Sequence, residues 1–500
     1  MRKISWREWG SDIWNQKTLT LPWIVFVLAL LFLLARLGIA LFEYSQLARA
    51  ALAFPFPLDY GEGPILDQTL RLSQFENIYR NSFASPPYTV SNYPPLFQLI
   101  QVPFAWIVGP AFWYGRLISI LSAISAAGLI GLILYTITSD RIASAIGGLT
   151  LLAFPYFVQG SVLNRVDALA LALSLGGLYV TVRWPSDWRV PWVAGLLFTA
   201  AAFTNPRYIL VAPLTALVWL WHLEHPRQAF RLAAIVVGSC LVLFLGLNLI
   251  TQGGFYLNTV RANLTFFSSY TVAGSWVNLY LHAGYLLIGS LIYIIIERLG
   301  QPTGSWPLVV PYCLGAALMT LTVGLANSSV NDLFEVVTAL CLVSGAFIAW
   351  AGESTWLKAL LVFVLAVQIN ALIDWSRQEH IPVLMDKVVD TREVEQLAQY
   401  VREAEGPILA DEYMGLIPLA GRQLYFQPIE YKQLQAANLW SDAALVDSIQ
   451  REEFSVILLY EPRGRSAISV RWTQEVRNTI YAHYNLEDTL ARTFIYRPQK

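Results

Sequence analysis

The sequence is poor in charge. Of its 500 residues only 13% are Asp, Glu, Lys or Arg, where a soluble chain carries about a quarter. It is 56% hydrophobic and its net charge is −1. The deficit points to a chain that crosses a membrane many times. A near-zero net charge and the lack of a long basic tract speak against nucleic acid as a partner. Cysteine is scarce as well. Cys240, Cys313 and Cys341 lie inside separate apolar runs, with neither a disulfide framework nor metal-ligand spacing, and read as small core residues. There is no G-x-x-x-x-G-K-[ST], no dinucleotide fingerprint, no H-E-x-x-H and no Cys/His cluster. His222 and His225 read as marks of a membrane edge. No internal repeat or low-complexity tract is evident.

What the chain has is apolar runs long enough to span a bilayer. They fall at about 21–42, 113–138, 142–160, 166–183, 189–204, 206–222, 230–250, 276–298, 306–326, 332–350 and 356–374, eleven in all. The run at 189–204 is the shortest. The first is too long for a signal-peptide core and lacks a small-residue cleavage site, so it reads as a retained anchor. A further apolar stretch, 96–109, follows Pro94-Pro95, is short, and carries Gln98, Gln101 and Pro103. It reads as a helix lying along the membrane surface or dipping partway in.

Sidedness supports this count. With eleven spans and an inner N-terminus, the cytoplasmic segments hold Arg2, Lys3, Arg7, Lys17, Arg141, Arg183, Arg189, Arg227, Arg231, Arg298 and Lys358. The short outer loops hold only Arg165, Arg207 and Arg261, which is the positive-inside asymmetry. Counting 96–109 as a span would invert everything after it. The expected layout is a cytoplasmic segment 1–20, a membrane module 21–374 with its first outer loop at 43–112, and an extracytoplasmic segment 375–500. That last segment is charged. It alternates β-rich runs (Pro407–Ala410, Gln423–Phe426, Ser455–Tyr460, Thr493–Tyr496) with helical stretches (Asp386–Glu405, Asp442–Glu453, Val470–His483). It reads as a small α/β domain with a mixed sheet. Within it Asp411, Glu412, Tyr413 and Tyr425 read as surface residues, with contact to an acceptor as the alternative.

Ionisable groups at a membrane boundary are costly unless they face a cavity or a partner. Several gather by topology at the outer interface. Asp59 and Glu62 lie in the PLDYGEG stretch, where Pro57, Gly61, Gly63 and Pro64 argue for a fixed backbone rather than a floppy loop. With them come Tyr60, the Asn92-Tyr93-Pro94-Pro95 turn, Arg165 and Asp167, Asn205 and Arg207, and Asn331, Asp332 and Glu335. Such a cavity suits a substrate with an apolar tail in lipid and an anionic head in water. Plainer readings stand beside it. Arg165 and Asp167 suit a boundary ion pair, Asn331 and Glu335 interhelical glue at i, i+4, and Asn205-Pro206-Arg207 a turn with a snorkelling arginine. Arg116 suits either a headgroup anchor or a phosphate contact.

The order of these features resembles a known pattern. A first outer loop opens with an acid pair and is followed by Tyr93-Pro94-Pro95. Then come Gly115-Arg116-Leu117 and an Arg-x-Asp at 165–167. Over roughly residues 20–350 this is similar to the GT-C superfamily of membrane glycosyltransferases. The likeness is to the branch holding the lipid A aminoarabinose transferase, the protein O-mannosyltransferases and the rhizobial galacturonosyltransferases. The resemblance implies an integral, multi-pass protein of the cell (inner) membrane. It would move a sugar from a polyprenyl-phosphate carrier to a lipid, glycan or protein acceptor on the outer face. It gives Asp59 the place of the first-loop catalytic acid and Asp167 that of a second acid. In the mannosyltransferases the two loop acids are adjacent; here Tyr60 and Gly61 separate Asp59 from Glu62.

The chemistry asks for a base and for positive charge. A carboxylate in reach of the acceptor hydroxyl contributes about 10²–10⁴-fold, and Asp59 is the residue expected there, with inversion as the outcome. The leaving phosphate needs an arginine fork: Arg165, Arg207 and Arg116, in that order. A divalent cation between Asp59 and Asp167 is the lesser alternative. The competing function class is a transporter or flippase of lipid-linked glycans. It is disfavoured because the charges sit at one interface and no repeat appears.

Overall fold

A computed structural model describes residues 20–264, 267–299, 304–325, 330–352, 354–462 and 467–499. The N-terminal segment expected to be cytoplasmic therefore lies, except for Thr20, outside the described residues. The chain is a bundle of apolar helices followed by a small sheet domain. In order, the helices of the bundle are α1 (Leu21–Ala53), α2 (Glu62–Ser73), α3 (Leu96–Val108), α4 (Trp113–Thr138), α5 (Arg141–Leu151), α6 (Pro155–Ser161), α7 (Asp167–Arg183) and α8 (Val190–Ala202). They continue with α9 (Val211–His222), α10 (Pro226–Ile250), α11 (Ser269–Leu299), α12 (Trp306–Met319), α13 (Phe334–Trp350) and α14 (Thr355–Trp375).

Every one of the eleven apolar runs is helical, but the runs do not make eleven equal spans. Among the described residues seven helical stretches are long and apolar enough to cross a membrane, and α5 with α6, bent by 62°, makes an eighth if counted as one span. The remaining three runs are α7, α8 and α9, with 17, 13 and 12 residues. At about 1.5 Å per residue α8 and α9 fall well short of the roughly 30 Å hydrocarbon core. The Asn205-Pro206 turn is the reason. Proline cannot continue the hydrogen-bonded ladder, and the chain makes a single 3₁₀ turn, Pro206–Ile209, between the two helices.

The helix at 96–108 is short, too short to cross the hydrocarbon core. Its thirteen residues bury Gln98 and Gln101 while exposing Leu99, Ile100, Trp106, Ile107 and Val108. The glutamines look inward because Gln98 donates to Gln68 Oε1 of α2 at 2.8 Å. Its apolar face is left outward, as a helix in the membrane interface requires. The most enclosed of the long helices is α13, 83% buried over its apolar window. Helix α14 packs along α1 and also explains the break in α11 at Ala283. There the Gln368 side chain donates to His282 O (2.7 Å) and accepts from Tyr285 N (3.1 Å). A side chain inserted into the ladder is a sufficient cause of a kink.

Helices α15 (Ile381–Val389) and α16 (Thr391–Glu403) lead into the sheet domain, which adds α17 (Pro428–Ala436), α18 (Ala443–Gln450) and α19 (Gln474–His483). Its strands are β1 (Ile408–Ala410), β2 (Val456–Tyr460), β3 (Tyr484–Leu490) and β4 (Thr493–Pro498), in the spatial order β1-β2-β4-β3. The β1–β2 pair is parallel and the other two are antiparallel, so the sheet is mixed, as expected. Two details differ from the sequence reading. Strand β3 arises from the polar stretch after the last expected helix. The run Gln423–Phe426 does not join the sheet. It meets the first loop instead, where Tyr88 N donates to Tyr425 O (2.6 Å) and Gln427 N to Tyr88 O (3.0 Å).

Candidate active site

The site is built where the PLDYGEG stretch leaves α1 and turns into α2. Helix α1 has 33 residues, about 50 Å at 1.5 Å each, more than the roughly 30 Å hydrocarbon core needs. Asp59 sits at the turn. Its Oδ1 accepts the Glu62 amide at 3.1 Å, satisfying a donor at the start of α2, and its Oδ2 lies 3.1 Å from Arg165 Nη2. Gly61 makes this pairing fit, because a Cβ there would overlap the Arg165 guanidinium. Burial raises the Asp59 carboxyl above its ordinary value and Arg165 pulls it back. The carboxylates around Arg165 hold the guanidinium firmly protonated against the cost of burial.

Arg165 faces a cavity of about 200 Å³ whose lining includes Tyr60, Gln68, Asn92, Tyr93, Ile429 and Glu430. Four residues named from sequence thus converge: Tyr60, Asn92, Tyr93 and Arg165, with Asp59 behind the arginine. The Asn92-Tyr93 turn is held by Tyr79, whose hydroxyl donates to Tyr93 O (2.9 Å), and by Asn263, whose amide donates to Asn92 O (3.1 Å). Two polar atoms of the lining residues, Arg165 Nε and Asn92 Oδ1, are buried and lack a hydrogen-bond partner.

A second polar pocket lies beside the first. It is lined by Asp167, Asn205, Arg207, Tyr208, Asn331, Asp332 and Glu335, among others. Asp167, the first residue of α7, accepts from Asn205 Nδ2 (2.9 Å) and Asn331 Nδ2 (2.8 Å). Arg207 pairs with Asp332, and the Asn205 side chain caps the turn that carries Arg207. Glu335 Oε1 is buried without a hydrogen-bond partner.

Glu62 and Arg116 are placed differently from the rest. Both are wholly buried and bind each other twice, at 2.8 and 2.7 Å. The carboxylate also accepts from the Leu58 and Asn164 amides (2.7 and 2.8 Å). The guanidinium donates to Ala51 O, Phe54 O and Phe56 O. Burial alone would raise the Glu62 carboxyl, but Arg116 and these amides hold it below its ordinary value. Neither residue lines the cavity.

The C-terminal domain supplies what sequence reasoning missed. Glu430, in the first turn of α17, closes the cavity and accepts from the Tyr60 hydroxyl at 2.5 Å. Below it, Asp411, Glu412 and Tyr413 are buried, which corrects their reading as surface residues; Tyr425 is half-buried. Glu412 pairs with both Lys387 and Arg471. Lys387 also donates to Leu58 O at 2.8 Å, one residue before Asp59. Asp67 of α2 accepts the Leu424 amide at 3.0 Å, and Gly63 lets α2 approach the backbone of Gly415, where a Cβ would sit 2.8 Å from Gly415 N. No motif marks these contacts. Their only sequence signal is charge in a domain that reads as solvated.

The donor set does not fit a cation held between Asp59 and Asp167. Each of the two carboxylates engages both oxygens with amide or guanidinium donors. Among the described residues no three His, Cys, Asp or Glu side chains are grouped to hold a metal ion.

Neither a family model nor a curated protein matches the sequence. Solved structures do match. ArnT from Cupriavidus metallidurans in the apo state superposes with a TM-score of 0.59 at 10% identity, over 92% of this chain and 97% of that one. The same protein bound to undecaprenyl phosphate gives 0.59 at 12% identity, with the same coverage. The Archaeoglobus fulgidus oligosaccharyltransferase in its apo form gives 0.51 at 10% identity, over 94% of this chain and 74% of that one. This multi-pass integral membrane protein therefore shares its fold with these solved structures and is ArnT-like over 92% of its length.

Proposed function

We propose that the chain is a glycosyltransferase that takes a sugar from a polyprenyl-phosphate carrier and passes it to an envelope acceptor on the outer face of the cell membrane. The N-terminus is then cytoplasmic and the C-terminal domain extracytoplasmic. The observation that carries this reading is Arg165. It is anchored by Asp59 at 3.1 Å, aimed into a cavity between the first loop and the C-terminal domain, and left with an unpartnered buried Nε. A buried unsatisfied donor on a fixed guanidinium is suited to an anionic oxygen. The solved ArnT with undecaprenyl phosphate supports a lipid phosphate as the source of that oxygen.

The reaction is one displacement. The acceptor hydroxyl oxygen attacks the anomeric carbon, the bond from that carbon to the phosphate oxygen breaks, and the electron pair leaves with the phosphate. The hydroxyl proton passes to Asp59. Arg165 lies against Asp59 Oδ2. A donor phosphate that draws the guanidinium toward itself releases that oxygen, and the partly buried carboxylate becomes a better base as its positive neighbour withdraws. Donor binding and base activation are thus the same event. Asp167, held by two asparagines, fixes the N-terminus of α7 that carries Arg165. Glu62 and Arg116 act in this scheme by holding the turn, not by touching substrate.

The test places the protein and an Asp59→Asn variant in vesicles with polyprenyl-phosphate sugar and follows release of the free carrier. The variant should lose about 10²–10⁴-fold of the rate. Undiminished transfer by Asp59→Asn would remove the base assignment.

A further inference from the structure

Tyr60 and Glu430 meet across the seam between the PLDYGEG turn and the C-terminal domain, and both line the cavity. The direction of their hydrogen bond can be worked out. The Ile429 amide donates to the Tyr60 oxygen at 3.1 Å, so the phenol's proton points to Glu430, 2.5 Å away. That separation is in the range of an O–H···O⁻ bond; burial raises the Glu430 carboxyl above its ordinary value, and the Tyr60 hydroxyl and Arg165 pull it back. Two arginines near it are already paired. Arg165 lies against Asp59 at 3.1 Å. Arg471, whose guanidinium stands 5.6 Å from the Tyr60 ring centroid, is paired with Glu412 and lies 3.6 Å from Asp411. Among the described residues that line the cavity Arg165 is the one cation, and a donor phosphate takes it.

We infer that Glu430 sets the charge of the sugar the site admits, accepting hydroxyl-bearing sugars that carry no carboxylate and rejecting uronic acids. This rests on the donor reading above. The physical basis is that a sugar hydroxyl gives Glu430 a donor to accept from, as the Tyr60 phenol does. A sugar carboxylate instead places like charges together in a partly desolvated space, which costs heavily. The phenols of Tyr60 and Tyr93 add surface against which a sugar's C–H face packs. The C-terminal domain thereby becomes part of the specificity apparatus, although the chemistry belongs to the membrane module.

The experiment measures binding, so that it does not depend on the unknown acceptor. The whole protein in nanodiscs is titrated with undecaprenyl-phosphate glucose and with undecaprenyl-phosphate glucuronic acid, and the two Kd values are compared. The wild type should prefer the glucose donor by about tenfold or more. Glu430→Gln should narrow the ratio below about threefold, and Glu430→Asp should restore part of it. Equal Kd values in the wild type, or a ratio that Glu430→Gln leaves unchanged, overturn the inference. Failure of both donors to bind overturns the carrier reading itself, and the inference with it.

Discussion

Two carboxylate–guanidinium pairs leave the same turn of the chain, and they behave in opposite ways. Glu62 and Arg116 have no solvent exposure, bind bidentately, and spend their remaining capacity on two amides and three carbonyls. Asp59 and Arg165 meet through one nitrogen and one oxygen, are each about a fifth exposed, and leave Arg165 Nε unsatisfied. The first pair is saturated and ties the end of α1 to α2, α4 and the 164 loop. The second is incomplete, and incompleteness is what a ligand needs. Two carboxylates three positions apart, each facing an arginine, are separated by hydrogen-bond accounting.

The comparison can be broken most severely at Glu62. Glu62→Gln leaves a buried arginine without its counter-charge and should cost about 3–5 kcal/mol of stability, read as lower yield and a lower Tm. Asp59→Asn should leave the Tm nearly unchanged while lowering transfer by about 10²–10⁴-fold. If Glu62→Gln instead kept its Tm and lost activity, the two pairs would have to exchange roles.

Gly61→Ala sharpens the contrast at one atom. The added Cβ overlaps the Arg165 guanidinium and displaces it from Asp59 without touching Glu62. Transfer should fall by about 10²-fold, the effect of a roughly 1 Å misplacement, with the protein still folded by circular dichroism. A fully active Gly61→Ala protein would show that the position of Arg165 is not critical.

The smallest effect concerns the domain that covers the site. Burial opposes the charge on Glu412, yet Lys387 and Arg471 hold its carboxyl down at about 2, from an ordinary value of 4.5. A lowered folded-state value stabilises the fold above pH 4.5 and loses that contribution as pH falls from there toward about 2. Neighbouring Asp411 runs the other way. Burial raises it to about 6, so its contribution fades as pH rises from 3.8 toward 6. Hydrogen-exchange protection factors at α2 and β1, corrected for intrinsic rates, should therefore fall between pH 4.5 and 2 in the wild type. Glu412→Gln should be about 1.5–3 kcal/mol less stable at neutral pH and should show no such acid limb. An acid limb that persisted in the variant would assign it to another carboxylate.

Much of this molecule was legible residue by residue. Low charge and eleven apolar runs announced the helices, and Gln98, Gln101 and Pro103 marked 96–108 as a segment apart. The family pattern brought Asp59, Arg165, Tyr93 and Asp167 forward. The span count was less legible, because hydropathy measures how apolar a run is but not where a proline turn divides it, as at Asn205-Pro206. Glu430 and Glu412 could not be found this way, since an acid that closes a cavity and an acid on a solvated face have the same neighbours in sequence.

Local composition and spacing by themselves determined the membrane-embedded class, the order of the helices, the mixed sheet and the gathering of polar residues at one end of the bundle. These follow from transfer free energies and backbone geometry, which act on short windows. Only the tertiary structure decided which acid of PLDYGEG is sealed and which is open, and that the cavity's last wall comes from a residue some 370 positions away. Those outcomes depend on which donors and acceptors meet across the fold, and a window of sequence contains only one side of each meeting.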